Sequence, residues 1–177
     1  ETGNMTGAVH REVLVADAGL SREVLDELES NTLLFFTGKQ RSTSEILSEQ
    51  DEKSKEDDPE MIQNLDQIKE IGLETKRYLE SGQVDMLGEL LHVHWETKKK
   101  RSRNMSDPLI DECYDIARKN GADGGKLVGA GGGGFFMFYC INYNHDKPRL
   151  VKAMQKMGLR WERFRFDFDG TKILANT

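Results

Sequence analysis

The chain has 177 residues, of which 37% are hydrophobic and 32% charged, and its formal net charge is −6. That length predicts a single domain, and the apolar fraction is enough to build a core. The acidic balance argues against a nucleic-acid binder, which needs a basic face. Because no apolar run approaches the roughly 20 residues that span a bilayer, and no signal-peptide pattern opens the chain, no membrane partner is expected.

Cysteine usage and the first residues set two further expectations. Cys113 and Cys140 are the only cysteines, too few for a disulfide framework, so a reducing, cytoplasmic setting is expected. Residues 1–7 are small and polar and are predicted to be a loose end or a cloning remnant, which leaves 8–177 as the domain.

Hydrophobic periodicity and capping residues predict the elements of the first half of the chain. Ser21 is a candidate N-cap, and Asp58 is another, followed by Pro59 at a first helical position. The predicted elements are, in order, a strand at 9–15, a helix at 20–28, a buried strand at 32–37, a helical stretch at 42–79 that is broken at 51–60, and a helix at 85–100.

The second half predicts strands that alternate with helices. Ser106, Asp107 and Pro108 signal a helix start, and Asn120 and Gly121 signal its end. The elements that follow are a buried strand at 135–141, a helix at 147–157, a half-buried strand at 163–168 and a short strand at 172–174. Strands separated by helical segments predict an α+β fold, in which one antiparallel sheet is covered by helices on one side.

Eight of the 17 glycines lie between Gly121 and Gly134. Backbone amides without neighbouring Cβ atoms can approach an anion closely, so the run is either a phosphate-binding loop or a tight structural connection. Residues 129–134 literally fit G-x-G-x-x-G, but that fingerprint needs a strand before it and a helix after it, and here a strand follows. Lys126 precedes the glycines, so no P-loop is present either.

The segment 126–136, Lys-Leu-Val-Gly-Ala-Gly-Gly-Gly-Gly-Phe-Phe, resembles the third conserved motif of the GHMP kinases. The helix that starts at Ser106, the pair Gly121 and Ala122, and the helix around 87–95 resemble the approach to that motif. Within the family, residues 35–42 and 166–170 are most similar to the heptose phosphate kinases. The resemblance implies a ferredoxin-like sandwich and transfer of the γ-phosphoryl group of MgATP to a small-molecule hydroxyl, with a sugar phosphate as substrate.

The same resemblance implies where substrate would bind. The loop 129–133 would face the cleft between two domains. Residues 37–43 follow a buried strand and precede a helix, whose N-terminus favours anions, and Arg41 has a guanidinium that suits phosphate. Helix capping by Ser42 or Thr43 is the structural alternative. The predicted substrate-binding and phosphate-binding residues are Thr37, Gly38, Arg41, Lys126, Gly129, Ala130, Gly131, Gly132 and Gly133.

One departure from the family limits what this chain is expected to do. In the family the ATP phosphate loop, the catalytic Asp and the Mg²⁺ ligands belong to an N-terminal domain, and no matching segment occurs here. We therefore expect no catalytic residue and no metal ligand in this chain, with ATP and Mg²⁺ held mainly by the absent domain. The isolated chain is predicted to be inactive, and its interdomain face could drive formation of a homodimer.

Two further groups of residues, a basic run and a pair of histidines, bear on the predicted chemistry. Lys98 to Arg103 form a basic run, explained either by cations at a helix C-terminus or by a contact from one of them to a sugar phosphate. His92 and His94 are two apart, so a helix points them to different sides and a metal pair is not expected. The alternative function is a non-catalytic ferredoxin-like module that binds a small anionic metabolite or a protein partner through the glycine loop.

Overall fold

The computed structural model describes residues 17–39, 48, 58–101, 105–129 and 132–168. Five helices and four strands lie within these ranges, together with a short 3₁₀ turn at Val84–Met86. In chain order they are α1 (Arg22–Asn31), β1 (Thr32–Phe36), α2 (Pro59–Glu80), α3 (Leu87–Lys99), α4 (Pro108–Lys119), β2 (Gly124–Leu127), β3 (Phe135–Tyr139), α5 (Tyr143–Lys156) and β4 (Arg160–Glu162).

The four strands form one antiparallel sheet in the order β2-β3-β1-β4. The central strand β1 pairs with β3 from Thr32↔Tyr139 to Phe36↔Phe135, and with β4 on its other side. Helices α2, α3 and α4 connect β1 to β2, and α5 connects β3 to β4. This is the ferredoxin-like arrangement, so the predicted α+β class is confirmed.

Side-chain caps explain where three of the helices begin. Ser21 accepts a hydrogen bond from the Val24 amide, and Asp58 accepts from the amides of Glu60 and Met61. Asp107 accepts from the Ile110 amide at the start of α4. Each cap satisfies amides that have no partner inside the helix, and all three starts agree with the sequence prediction.

The core lies on one face of the sheet, with a smaller cluster on the other. Phe35, Phe136 and Phe138 are fully buried together with side chains of α4 and α5. Tyr139 points to the opposite face, since successive strand residues alternate, and it packs against Val24 and Leu28 of α1. Side chains therefore pack against both faces of the sheet, whereas the sequence analysis predicted helices on one side only. No helix in the described ranges is both long and apolar enough to cross a membrane.

Two predicted boundaries were wrong. The helix predicted at 147–157 begins earlier, at Tyr143, and includes Pro148 in its first turns. The strand predicted at 163–168 lies instead at Arg160–Glu162. The ladder with β1 ends at the pair Leu34↔Glu162, and further along the chain the Phe166 amide donates to the Glu29 carboxylate rather than to a strand. The strands predicted at 9–15 and 172–174 and the helical residues at 42–57, apart from Ser48, lie outside the described residues.

Candidate functional site

Backbone hydrogen bonds anchor the glycine loop that joins β2 to β3. The Gly132 amide donates to the Met105 carbonyl at 3.0 Å, and the Gly134 amide donates to the Lys39 carbonyl at 2.9 Å. Gly133 has φ +154°, and a Cβ there would lie 2.8 Å from the Lys39 oxygen. Glycine is therefore required at 133 for close packing, and the amides of Gly132 and Gly134 serve the fold rather than an anion.

The loop after β1 lies directly against this glycine loop. The Thr37 amide and the Thr37 hydroxyl both donate to the Gly134 carbonyl, at 2.9 and 3.0 Å. Lys39 forms an ion pair of 2.8 Å with Asp107, the cap of α4. Two segments that are far apart in sequence, 37–39 and 132–134, are thereby brought together at one end of the sheet.

Helix α3 lies along the edge strand β2 at unusually close range. A Cβ on Gly124 would lie 1.7 Å from the Gly88 carbonyl oxygen, so both positions need glycine for this contact. Lys98 follows Gly88 by ten residues, about 15 Å along a helix. Gly129 follows Gly124 by five residues, about 17 Å of extended chain. The two elements thus run side by side in the same direction, and the Lys98 ammonium donates to the Gly129 carbonyl.

A group of four basic side chains gathers beside Gly129, and we refer to it as the basic cluster. Three of its members stand on α3 and the turn that follows, at a spacing of four and then three residues that places them on one helical face. The fourth is on β2. The members are His94, Lys98, Arg101 and Lys126.

Burial lowers the pKa of every member of the basic cluster, and repulsion between like charges adds to this for His94, Lys98 and Lys126. Burial, with repulsion from Lys126 and then Arg101, lowers the pKa of Lys98 to about 8. The Lys98 side chain is almost fully enclosed, with the residue only 7% exposed. Burial also lowers the pKa of Lys126, again with a contribution from Arg101. Within the described ranges no carboxylate pairs with either lysine, so no acidic side chain there compensates the charge of these two lysines.

The other two members of the basic cluster are His94 and Arg101. Burial, followed by repulsion from Lys126, Lys98 and Arg101, lowers the pKa of His94 to about 4, so the ring is neutral at pH 7. Its Nδ1 atom is buried and lacks a hydrogen-bond partner among the described residues. The Arg101 Nε donates to Asn64 Oδ1 at 2.7 Å, and Asn64 is held in turn by the Thr97 carbonyl at 2.6 Å. Arg101 is therefore held in a fixed position.

The structure brings together some of the predicted site residues. Thr37, Gly38, Lys126, Gly129, Gly132 and Gly133 lie in the two adjoining loops or next to them, while Arg41, Ala130 and Gly131 lie outside the described residues. The sequence analysis offered a sugar phosphate contact from the run Lys98 to Arg103 as one of two explanations and gave His94 no role in the site. The spacing of His94, Lys98 and Arg101 along α3 and the turn after it was the signal that groups them. In the described part of the chain, no group of three or more His, Cys, Asp or Glu side chains could hold a metal ion.

Comparison with known proteins identifies the family. Residues 75–159, which include α3, α4, β2, β3 and the basic cluster, match the family model described as "GHMP kinases C terminal". This part of the chain belongs to the GHMP kinase C-terminal family. The likeness reaches beyond that segment. The chain is 31% identical over 163 residues to the D-glycero-alpha-D-manno-heptose 7-phosphate kinase of Campylobacter jejuni, covering 92% of this chain and 47% of that protein.

Three further proteins resemble this chain in sequence or in fold. A region of 115 residues is 27% identical to the bifunctional fucokinase/GDP-fucose pyrophosphorylase of Arabidopsis thaliana, covering 65% of this chain and 11% of that protein. The structure of a D-glycero-D-manno-heptose 1-phosphate kinase from Bacteroides thetaiotaomicron superposes with a TM-score of 0.56 at 27% identity, covering 88% of this chain and 40% of that one. The fold also matches L. major mevalonate kinase, with a TM-score of 0.63 at 21% identity over 71% of this chain and 37% of that one. The chain thus spans about half or less of each of these proteins.

Proposed function

We propose that this chain is the C-terminal half of an ATP-dependent sugar phosphate kinase that transfers the γ-phosphoryl group of MgATP to a hydroxyl of a heptose phosphate. The observation that carries the proposal is the 31% identity to a heptose 7-phosphate kinase over 92% of the chain. The substrate-binding residues would be Thr37, Gly38, Arg41, Lys126 and the loop 129–133.

The geometry supports a substrate-binding role for this half. The glycine loop, the loop after β1 and the start of α4 are tied together by the bonds of Gly134 to Thr37 and Lys39 and by the Lys39–Asp107 ion pair. A rigid platform of this kind positions a substrate precisely, and phosphoryl transfer depends mainly on positioning and charge stabilisation. Gly129 is exposed beside the basic cluster, so a bound anion would meet positive charge there.

The other half of the reaction would come from an N-terminal domain outside this chain. The described residues include no group of three or more His, Cys, Asp or Glu side chains that could hold a metal ion by itself, and the resemblance to the family assigns the phosphate loop and the Mg²⁺ ligands to the N-terminal domain. We therefore place ATP, its metal ion and the general base with the N-terminal domain. The chain alone would bind substrate without turning it over.

The test compares the chain alone with the chain joined to the ATP-binding domain encoded before it. Each protein is incubated with MgATP and D-glycero-D-manno-heptose 7-phosphate, and the new phosphate ester is followed by ³¹P NMR. The joined protein should form a second phosphate ester on the sugar, while the chain alone should form none. Turnover by the chain alone would contradict the division of roles, and a joined protein that is inactive on sugar phosphates would contradict the proposed function.

A further inference from the structure

We propose that the basic cluster is a binding site for a phosphate monoester dianion, and that in the kinase proposed above it holds the phosphate that the sugar substrate already carries. The assignment to a sugar rests on that proposed function, whereas the assignment to a phosphate monoester rests on the structure of this chain. Lys98 and Lys126 supply charge, Arg101 supplies a fixed guanidinium, and His94 supplies a neutral imidazole.

The first argument is the electrostatic cost of the arrangement. Burying like charges close together is unfavourable unless an opposite charge compensates them. Lys98 is only 7% exposed and its charge is opposed by Lys126 and Arg101, yet within the described ranges no acidic side chain lies against either lysine. A bound dianion would supply the missing compensation.

The second argument is geometric. Lys98 is held by the Gly129 carbonyl and Arg101 by Asn64, so two cationic groups are already fixed on one face of α3. Nδ1 of His94 is buried on the same face without a partner in the described part of the chain. A neutral imidazole can donate one hydrogen bond, and a phosphate oxygen is an acceptor that would use it.

The third argument separates phosphate from weaker anions. A phosphate monoester carries nearly two charges at neutral pH and offers three acceptor oxygens. Two charges and three oxygens can satisfy several donors that converge from a helix and a strand. A carboxylate, with a single charge, matches them less well. Arginine suits planar bidentate contact with phosphate oxygens, and lysine contributes a point charge.

The experiment measures binding of inorganic phosphate to the 177-residue chain by isothermal titration calorimetry. The variants are Lys98→Met and Lys126→Met, and the control is Lys119→Met, which removes an exposed cation from the last turn of α4. Each cluster variant should weaken binding by about tenfold or more, since a hydrogen bond to a charged group contributes that much. The control should leave the dissociation constant unchanged. Equal affinity in Lys126→Met and Lys119→Met would overturn the proposal, as would the absence of phosphate binding by the unmodified chain.

The second measurement is the proton uptake that accompanies phosphate binding. Because the pKa of Lys98 is about 8 in the free chain, a bound dianion should raise it, so binding at pH 8.5 should be accompanied by proton uptake. Calorimetry in two buffers of different ionisation enthalpy measures the number of protons taken up per phosphate bound. The uptake should be smaller in Lys98→Met, and uptake as large as in the unmodified chain would contradict the role of Lys98.

Competition distinguishes the two sources of phosphate. A heptose 7-phosphate should displace inorganic phosphate, whereas ADP and unphosphorylated glucose should not. Displacement by ADP but not by the sugar phosphate would overturn the assignment to the sugar substrate. None of these measurements needs turnover. If the joined kinase is active but neither lysine substitution changes the dissociation constant for phosphate, only this inference is refuted. A chain that binds phosphate but never becomes a kinase when joined would refute only the proposed function.

Discussion

Lys126 is a residue whose surroundings disfavour its charge. It is partly buried on β2, burial and Arg101 lower its pKa, and in the described part of the chain no carboxylate pairs with it. Lys126→Met should therefore raise the free energy of unfolding at pH 7 by about 1 kcal/mol, because residues kept for function often reduce stability. Urea denaturation monitored by circular dichroism measures the change.

The control for this experiment is again Lys119→Met. Lys119 is exposed in the last turn of α4, where a cation is favoured by about 0.3–1 kcal/mol, so its loss should leave stability unchanged or slightly reduced. A Lys126→Met variant that is less stable than Lys119→Met would show that Lys126 supports the fold, and the electrostatic account of the basic cluster would then be wrong.

His94 gives the stability a specific pH dependence. Its pKa is about 4 in the folded chain, against an ordinary value of 6.5. Above pH 6.5 the ring is neutral in both states. As the pH falls from 6.5 to 4, the unfolded chain takes up a proton that the folded chain does not, so the free energy of unfolding falls. His94→Gln should remove this component, measured by urea denaturation at several pH values.

The control for that measurement is Lys119→Met, which removes an exposed cation from the last turn of α4 and no imidazole. It should leave the slope of stability between pH 6.5 and 4 as it is in the unmodified chain. An unchanged slope in His94→Gln would mean that His94 titrates normally and is not repelled by the lysines.

At the residue scale, the sequence predicts part of the site. Lys126 and the glycine loop were assigned from a motif, because their residues are close together in the sequence and can be recognised without knowing the fold. The roles of Lys98 and Arg101 could not be read in the same way. Their position at the end of a helix is explained equally well by the helix dipole, and only the contact of α3 with β2 shows that Lys98 points to Gly129.

At the element scale, the glycine contact between α3 and β2 sets the position of Lys98. Gly124→Ala should destabilise the chain by about 2 kcal/mol or more, because overpacking of this kind forces the backbone to move, and the added Cβ would lie 1.7 Å from the Gly88 oxygen. Thermal unfolding measures the loss. It should also weaken phosphate binding, since α3 and the turn that follows it carry three of the four cluster residues.

Gly72→Ala is the control for this substitution. Gly72 lies within α2, and an added Cβ there would meet nothing within 4 Å. Alanine should stabilise the helix by about 0.5–1 kcal/mol. If Gly124→Ala were as stable as Gly72→Ala, the close approach of α3 to β2 would be refuted.

Helix starts were more predictable than strand ends. Ser21, Asp58 and Asp107 cap their helices as expected because a cap is a local interaction between neighbours in sequence. The alternation of Phe164, Phe166 and Phe168 predicted a strand, but a strand also needs a partner. The ladder with β1 ends at Glu162, and the Phe166 amide bonds to Glu29 instead.

At the scale of the whole molecule, the fold class was predictable and the strand order was not. Alternating helices and strands indicate α+β, whereas the order β2-β3-β1-β4 depends on contacts between residues about a hundred positions apart, such as Thr32 with Tyr139. The same order places the glycine loop next to Thr37, which no local pattern shows. The proposed binding platform is built from distant segments and therefore requires the complete sheet.

The most direct test of the central claim is a kinetic comparison in the joined kinase. With MgATP saturating, KM for heptose 7-phosphate is measured for the unmodified protein and for its Lys126→Met and Lys119→Met variants. The account predicts that Lys126→Met raises KM for the sugar phosphate by about tenfold or more while KM for ATP is unchanged, and that Lys119→Met changes neither. An unaltered KM for heptose 7-phosphate in Lys126→Met, or a rise only in KM for ATP, would contradict it.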